Sequence, residues 1–238
     1  MIRLSKRMKC LTDMVSPGKV MADIGCDHGL VSVYLAANGI SPRVIAMDVA
    51  EGPLKAAEKN VAEAGMSDKI ELRLSDGFKA LSAVETDGAI IAGMGGHLIL
   101  DIIRDGEDKF GEGYQLVLSP QSDVPLVRNY LRNHSFKIVD EEMIHEDGKF
   151  YIIIKAVKTK ADENKETEED IAFFDTYSAI LIEKKSPVYA EYLSCCLSKY
   201  EGIFCRLSKT ETADGGKRLS QVRDEIKELT DILDRIND

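Results

Sequence analysis

Val20-Met21-Ala22-Asp23-Ile24-Gly25-Cys26-Asp27-His28-Gly29 joins a short β-rich run to an apolar stretch of helical character, 29–38. The two glycines permit a tight turn and let a ligand come close to the backbone. The helix that begins at Gly29–Leu30 offers free N–H groups and a partial positive charge, which suit a carboxylate. Asp23, at the strand end, can reach a cationic amino group. The spacing is not the glycine-x-glycine-x-x-glycine of dinucleotide sites. An acid at Asp27 would repel a pyrophosphate, so the loop favours a ligand with an ammonium group and no phosphate.

Working outward, residues 20–158 alternate between β-rich runs and helical stretches. The strands expected are Val20–Ile24, Val44–Asp48, Ile70–Leu74, Ala89–Gly93, Gln115–Ser119, Lys137–Ile144 and Tyr151–Val157. Helices are expected at 29–38, 51–64, 96–104 and 123–132. Such alternation implies an α/β fold with a mostly parallel sheet covered on both faces. The last two strands are joined by His145–Lys149, too short for a crossover helix, so they form a hairpin with an antiparallel strand.

Further loops fall at the ends of these strands. Asp48 closes the second strand about 20 residues after the glycine loop, where an acid hydrogen-bonds ribose hydroxyls. It can equally cap the helix 51–64. Ser75-Asp76-Gly77 follows the third strand; Asp-Gly also marks an ordinary turn. Gly93-Met94-Gly95-Gly96 follows the fourth, at the switch point where α/β folds bind ligands, and its glycines leave backbone exposed to a flat group. Ser119-Pro120-Gln121 ends the fifth: Gln121 can read a base edge, or the segment can simply open a helix capped by Ser122 or Asp123. Of the four histidines, His28 alone is placed to touch a substrate, and no metal-ligand spacing occurs.

Beyond residue 158 the pattern changes. Residues 159–170 are polar and acidic and read as a linker or a solvated helix start; 171–182 suggest another helix. Ser186-Pro187 signals a helix start, followed by an apolar seam through Leu193, Leu197, Tyr200, Phe204 and Leu207. A turn at Thr210–Gly216, broken by Gly215-Gly216, leads to a second seam through Leu219, Val222, Ile226, Leu229, Leu233 and Ile236. Together they predict an antiparallel, coiled-coil-like helical hairpin. The division expected is 1–158 and 159–238.

The chain has 238 residues and a formal net charge of −10. Alone, that charge argues against a nucleic-acid partner. Residues 1–20, however, gather Arg3, Lys6, Arg7, Lys9 and Lys19 against one acid, Asp13, and a local basic patch can bind RNA. A solvated basic N-terminus would look the same. The five cysteines are odd in number and lack a CxxC pair, so neither a disulfide framework nor a zinc site is expected; Cys195, Cys196 and Cys205 read as packing residues. No apolar run reaches the roughly twenty residues of a membrane span, and no signal-peptide pattern follows Met1. A cytoplasmic protein is expected, a monomer or weak dimer, without membrane or metal.

Leu4-Ser5-Lys6-Arg7, the Ala22–Gly29 loop and Gly93-Met94-Gly95-Gly96 together resemble the bacterial tRNA (adenine(22)-N1)-methyltransferases, the TrmK family. The resemblance spans about residues 1–158, and the helical hairpin also fits. It implies a class I methyltransferase fold, Rossmann-like with seven strands, and S-adenosyl-L-methionine (SAM) as cofactor. The cofactor contacts expected are Asp23, Gly25, Cys26, Asp27, Gly29, Asp48, Val49, Asp76, Gly77, Gly93, Met94 and Gly95. The positions expected at the substrate adenine are His28, Gly96, Ser119, Pro120 and Gln121, with glutamine where asparagine is common. Arg3, Lys6, Arg7 and Lys9, with Lys184-Lys185 and Lys217-Arg218 of the tail, are expected to hold tRNA phosphates. Three other readings fit fewer features. A small-molecule SAM methyltransferase would explain the acidic surface but lacks a lid insertion. A non-catalytic SAM- or RNA-binding module would need a degraded loop. An NAD-dependent reductase is disfavoured by Asp27 and by the strand count.

Overall fold

The computed structural model describes residues 3–160, 168–209 and 215–238. The linker expected at 159–170 and the turn at Thr210–Gly216 fall largely outside them. The chain divides into two compact units, Met1–Tyr177 and Ser178–Asp238.

The first unit opens with a helix that a reading for charge alone passed over, α1 (Lys6–Asp13). Ser5 caps it by accepting the Met8 amide at 3.3 Å. A carboxylate from far along the chain completes the cap: Glu146 accepts the amides of Lys6 at 2.6 Å and Arg7 at 3.4 Å. An acid on the free amides of a helix start is favoured by hydrogen bonding and by the helix dipole.

There follow β1 (Met21–Ile24), α2 (Leu30–Ala37), β2 (Val44–Asp48), α3 (Glu51–Glu63) and β3 (Ile70–Leu74). After these come β4 (Gly88–Met94), α4 (Gly96–Asp105), β5 (Gln115–Pro120), α5 (Val124–Asn133), β6 (Phe136–Glu146), β7 (Lys149–Lys158) and α6 (Glu168–Thr176). The strands form one seven-stranded sheet in the order β3-β2-β1-β4-β5-β7-β6. Six run in one direction, and β7 lies antiparallel between β5 and β6. Every residue of β1, β2 and β5 is buried. Strands covered on both faces carry continuous apolar runs, which is why these read clearly. The joint between β6 and β7 is tighter than the five residues expected. Asp147 and Gly148 alone make the turn, with φ of 50° and 71°, the left-handed pair that a two-residue hairpin requires.

Two features of the sheet prepare a site. The strand order reverses at β1, which has β2 on one side and β4 on the other; there the loops diverge and leave a crevice. β4 also carries a bulge: Ala92 pairs with Ser119 and Met94 with Pro120, leaving Gly93 unpaired at φ 80°.

One helix was expected over 171–182, but two form: α6 and α7 (Ala179–Glu183). The break falls at Ser178, whose hydroxyl accepts the Leu181 amide at 3.0 Å and starts a new helix. The end of α6 is held by α5. Buried Arg128 pairs with Glu141 at 2.8 Å and donates to the Asp175 and Thr176 carbonyls at 3.0 and 3.2 Å. It thereby serves carbonyls that lack intrahelical donors.

The second unit holds α7, α8 (Pro187–Leu207) and α9 (Gly215–Asn237). Ser186 caps α8 and Pro187 takes its first position. α8 packs along α9; Leu193 of α8 and Val222, Leu229, Ile232 and Ile236 of α9 are buried. Gly215 and Gly216 open α9 instead of breaking the chain before it. Cys195 and Cys205 are exposed and Cys196 is half-buried, so the first two are not packing residues. They fall beside the Leu193–Leu197–Tyr200–Phe204 stripe, not on it. Among the described residues no helix is long and apolar enough to cross a membrane.

Candidate active site

The crevice beside β1 is a cavity of about 460 Å³, walled by the ends of β1, β2, β3 and β4 and by α1. Its floor is set by the first loop. The amides of Gly25 and Cys26 both donate to the Met47 carbonyl, at 2.8 and 2.9 Å. That close approach needs the left-handed backbone of Gly25, φ 71°, a conformation that favours glycine, and the Met94 methyl packs against its open side. Asp27 adopts the same region, φ 50°, a conformation glycine would take freely and aspartate tolerates.

Two buried carboxylates flank this loop. Asp23, 5% exposed, accepts the Ser32 hydroxyl at 2.5 Å. Burial pushes its carboxyl up to about 6; the Ser32 hydrogen bonds oppose the shift and the nearby Asp48 charge adds to it. Asp48 spends one oxygen on the Asp27 amide, 3.2 Å, and the other on the Ala50 amide, 3.0 Å. It thus braces the glycine loop and the start of α3 at once, although Ala50 is the formal cap. Cys26 is also buried, and desolvation first, then these acids, drives its thiol far above the usual range, so it stays protonated.

The third loop is held by Ser75, whose hydroxyl donates to the Gly77 carbonyl at 2.8 Å and accepts the Ala80 amide at 3.0 Å. Asp76 is exposed and paired with Lys79 at 2.5 Å. The fourth and fifth loops clasp each other. The Gln121 amide donates to the Met94 carbonyl at 2.9 Å and the Gly96 amide to Ser122 Oγ at 3.4 Å. A Cβ at Gly96 would stand 2.6 Å from the Ser122 carbonyl oxygen, so this glycine serves loop packing, not an open face. Gly93 is the one that looks outward, toward Arg7 and Gln121.

Of the expected positions, Asp23, Gly25, Cys26, Asp27, Asp48 and Val49 line the cavity, joined by Asp76, Gly77, Gly93, Met94 and Gln121. Gly29, Gly95, Gly96, Ser119 and Pro120 lie outside its lining; Ser119 is buried within β5. His28 also lies outside. Its ring is exposed, 3.5 Å from the Asp27 carboxylate, and its carbonyl accepts the Asn60 amide at 2.9 Å. Arg3 and Lys6 are exposed. Lys9 pairs with Asp13 and lies over the Tyr34 ring. Arg7 lines the cavity.

The apolar wall was not anticipated: Met8 and Leu11 from α1, Val31 from α2, Leu98 and Ile102 from α4. Recognising α1 by its Ser5 cap would have brought in the first two. Val49 and Leu98 are 70% and 52% exposed at the cavity, the kind of bare apolar rim that a bound ring system covers. The site fits SAM on its own chemistry. Its size suits a nucleoside, its buried acids call for a cation, and Asp27 disfavours a pyrophosphate.

Comparisons with known proteins agree. A family described as methyltransferase domain matches residues 4–154. The tRNA (adenine(22)-N(1))-methyltransferase of Bacillus subtilis is 28% identical over 98% of both chains. A solved Streptococcus pneumoniae structure, of a candidate tRNA (m1A22) methyltransferase, is 30% identical with a TM-score of 0.84, covering 97% of this chain and 100% of that one. The same protein solved with S-adenosyl-L-methionine gives 29%, 0.81, 97% and 100%. The chain therefore belongs to the SAM-dependent methyltransferase family and, within it, to the group of tRNA (adenine(22)-N1)-methyltransferases.

Proposed function

We propose that this protein transfers a methyl group from SAM to N1 of adenosine 22 in tRNA. The observation that carries the reading is the pair of buried carboxylates, Asp23 and Asp48, around a glycine turn at the sheet's switch point. Asp23 holds the cofactor's ammonium group and Asp48 its ribose. Val49, Asp76, Gly77, Leu98 and Ile102 surround its adenine. Gly25, Cys26, Asp27, Gly93 and Met94 form the wall along its methionine arm, with Gly29 and Gly95 supporting from behind. Gln121 faces the substrate base, with His28, Gly96, Ser119 and Pro120 shaping the loops around it.

When bound, SAM supplies an electrophilic methyl group to the adenine N1 lone pair. That lone pair lies in the ring plane and is unprotonated at neutral pH, so no general base is required. The protein's task is to orient the base and exclude water, which in comparable systems is worth several powers of ten in rate. A base stacked in the tRNA core must first be extruded, at a cost of a few kcal/mol offset by pocket contacts. Arg3, Lys6 and Lys9 hold phosphates beside the cavity. Residues 1–158 carry the chemistry and 159–238 a further RNA contact. The protein works in the cytoplasm, as a monomer or weak dimer.

The test is methyl transfer from labelled SAM to unmodified tRNA, with nucleosides resolved by mass spectrometry. The expected product is 1-methyladenosine, abolished when position 22 of the transcript is guanosine. Tight SAM binding with no tRNA methylation would overturn the tRNA substrate and leave a small-molecule acceptor.

A further inference from the structure

Arg7 is the charged residue on the cavity wall that the cofactor does not explain. Its backbone amide is tied to Glu146 of β6 at 3.4 Å. Its guanidinium carbon lies 5.0 Å from the centroid of the Tyr151 ring on β7. A Cβ built on Gly93 would stand 3.7 Å from one guanidinium nitrogen and 4.0 Å from the Gln121 amide nitrogen. The helix start is thus held at its backbone, the guanidinium lies over an aromatic face, and it stands beside the bulged strand end. Arg7 is half-buried and lines the cavity beside the bulge, where Gln121 also stands.

We infer that Arg7 is a specificity-determining residue for the target base rather than a phosphate contact. The inference rests on the methyl-transfer reading above. A guanidinium keeps planar N–H donors for ring acceptors while its face rests on an aromatic ring. A fixed positive charge beside the base has two further consequences. It favours the neutral adenine, whose N1 lone pair is available, over the protonated form. It also opposes the product, because methylation at N1 leaves a positive charge on the ring at neutral pH. Substrate is then held better than product; because the same repulsion acts on the charge growing on the ring during transfer, Arg7 serves base selection and product release and not the methyl-transfer step itself. Asp27, on the opposite loop, exerts the contrary pull but is exposed, with His28 beside it, so its charge is more strongly screened.

The experiment compares wild type, Arg7→Gln and Arg7→Lys. It measures affinity for two tRNA samples, an unmodified transcript and the same transcript methylated to completion by wild type, across a salt series. SAM affinity is measured alongside. For Arg7→Gln the expected results are SAM affinity within twofold of wild type and kcat/KM lowered ten- to a hundredfold. The preference for unmodified over methylated tRNA should fall by about tenfold, the scale of one charge pair near a protein surface. Arg7→Lys keeps the charge and should restore the preference while leaving kcat/KM low; it also serves if the glutamine variant folds poorly. Equal weakening of both tRNAs with the logarithmic salt slope reduced by about one would make Arg7 a phosphate contact and overturn the inference. So would a glutamine variant identical to wild type. Failure of wild type itself to methylate the transcript would instead defeat the functional reading.

Discussion

The two halves of the cavity are built in opposite ways. On the β1–β2 side, two buried carboxylates, Asp23 and Asp48, are held by Ser32 and by backbone amides. On the β4–β5 side the lining comes from a bulge, Gln121 and the guanidinium of Arg7, and the loops are locked by glycine packing. The acidic half suits a cationic cofactor of fixed identity, and its charges are buried where they act strongly. The cationic half suits a neutral base that leaves as a cation. On the proposed reading, one crevice at one switch point would separate its two ligands by charge.

The largest expected effect breaks the acidic half. A carboxyl at 3.8 when unfolded and about 6 when folded binds its proton more tightly in the native state. Its stability contribution is complete below 3.8 and is lost as pH rises through about 6. Asp23→Asn removes that loss. In thermal or denaturant melts without SAM, the variant should gain on wild type between pH 4 and pH 7.5, by on the order of 3 kcal/mol. A gap that stays constant over that range would show that Asp23 carries no burial penalty.

The next separates packing from binding on the other side. Gly96→Ala drives a methyl group against the Ser122 carbonyl, which is backbone and cannot rotate away. Denaturant unfolding should show a loss of about 1–3 kcal/mol, with SAM affinity of the remaining folded protein nearly unchanged. Loss of SAM affinity without loss of stability would mean that Gly96 faces the ligand after all.

The smallest concerns the brace. Asp48→Asn offers one acceptor oxygen where two amides, of Asp27 and Ala50, now each have their own. One amide is left unpaired and the glycine loop loosens, at about the worth of a single hydrogen bond. Calorimetry should show SAM bound roughly tenfold more weakly; an unchanged affinity would assign the brace to stability alone.

Much of this was readable in the residues because the fully buried strands are short, apolar and bounded by glycine loops. Asp23, Gly25, Asp48 and Gly93 announce themselves by their place at strand ends. What was hidden depended on distance along the chain. The cap of α1 needs Glu146, some 140 positions away, and without it Lys6–Asp13 reads as a basic patch. For the same reason Arg7 was grouped with Arg3 and Lys6, since its partner ring, Tyr151, lies on the last strand. Gly95 and Gly96 looked like open backbone because the Ser122-Asp123 loop that fills them comes from another strand. Ser178 went unread as a helix start because apolar residues continue on both sides of it.

The central claim, that the cavity divides by charge into a cofactor half and a base half, is tested most directly by titrating SAM into wild type, Asp23→Asn and Arg7→Gln at pH 7.5. The expected result is a loss of at least about a hundredfold for Asp23→Asn, the scale of a buried charge pair broken on one side, and no more than a twofold change for Arg7→Gln. Wild-type affinity in Asp23→Asn, or a comparable loss in Arg7→Gln, would contradict it.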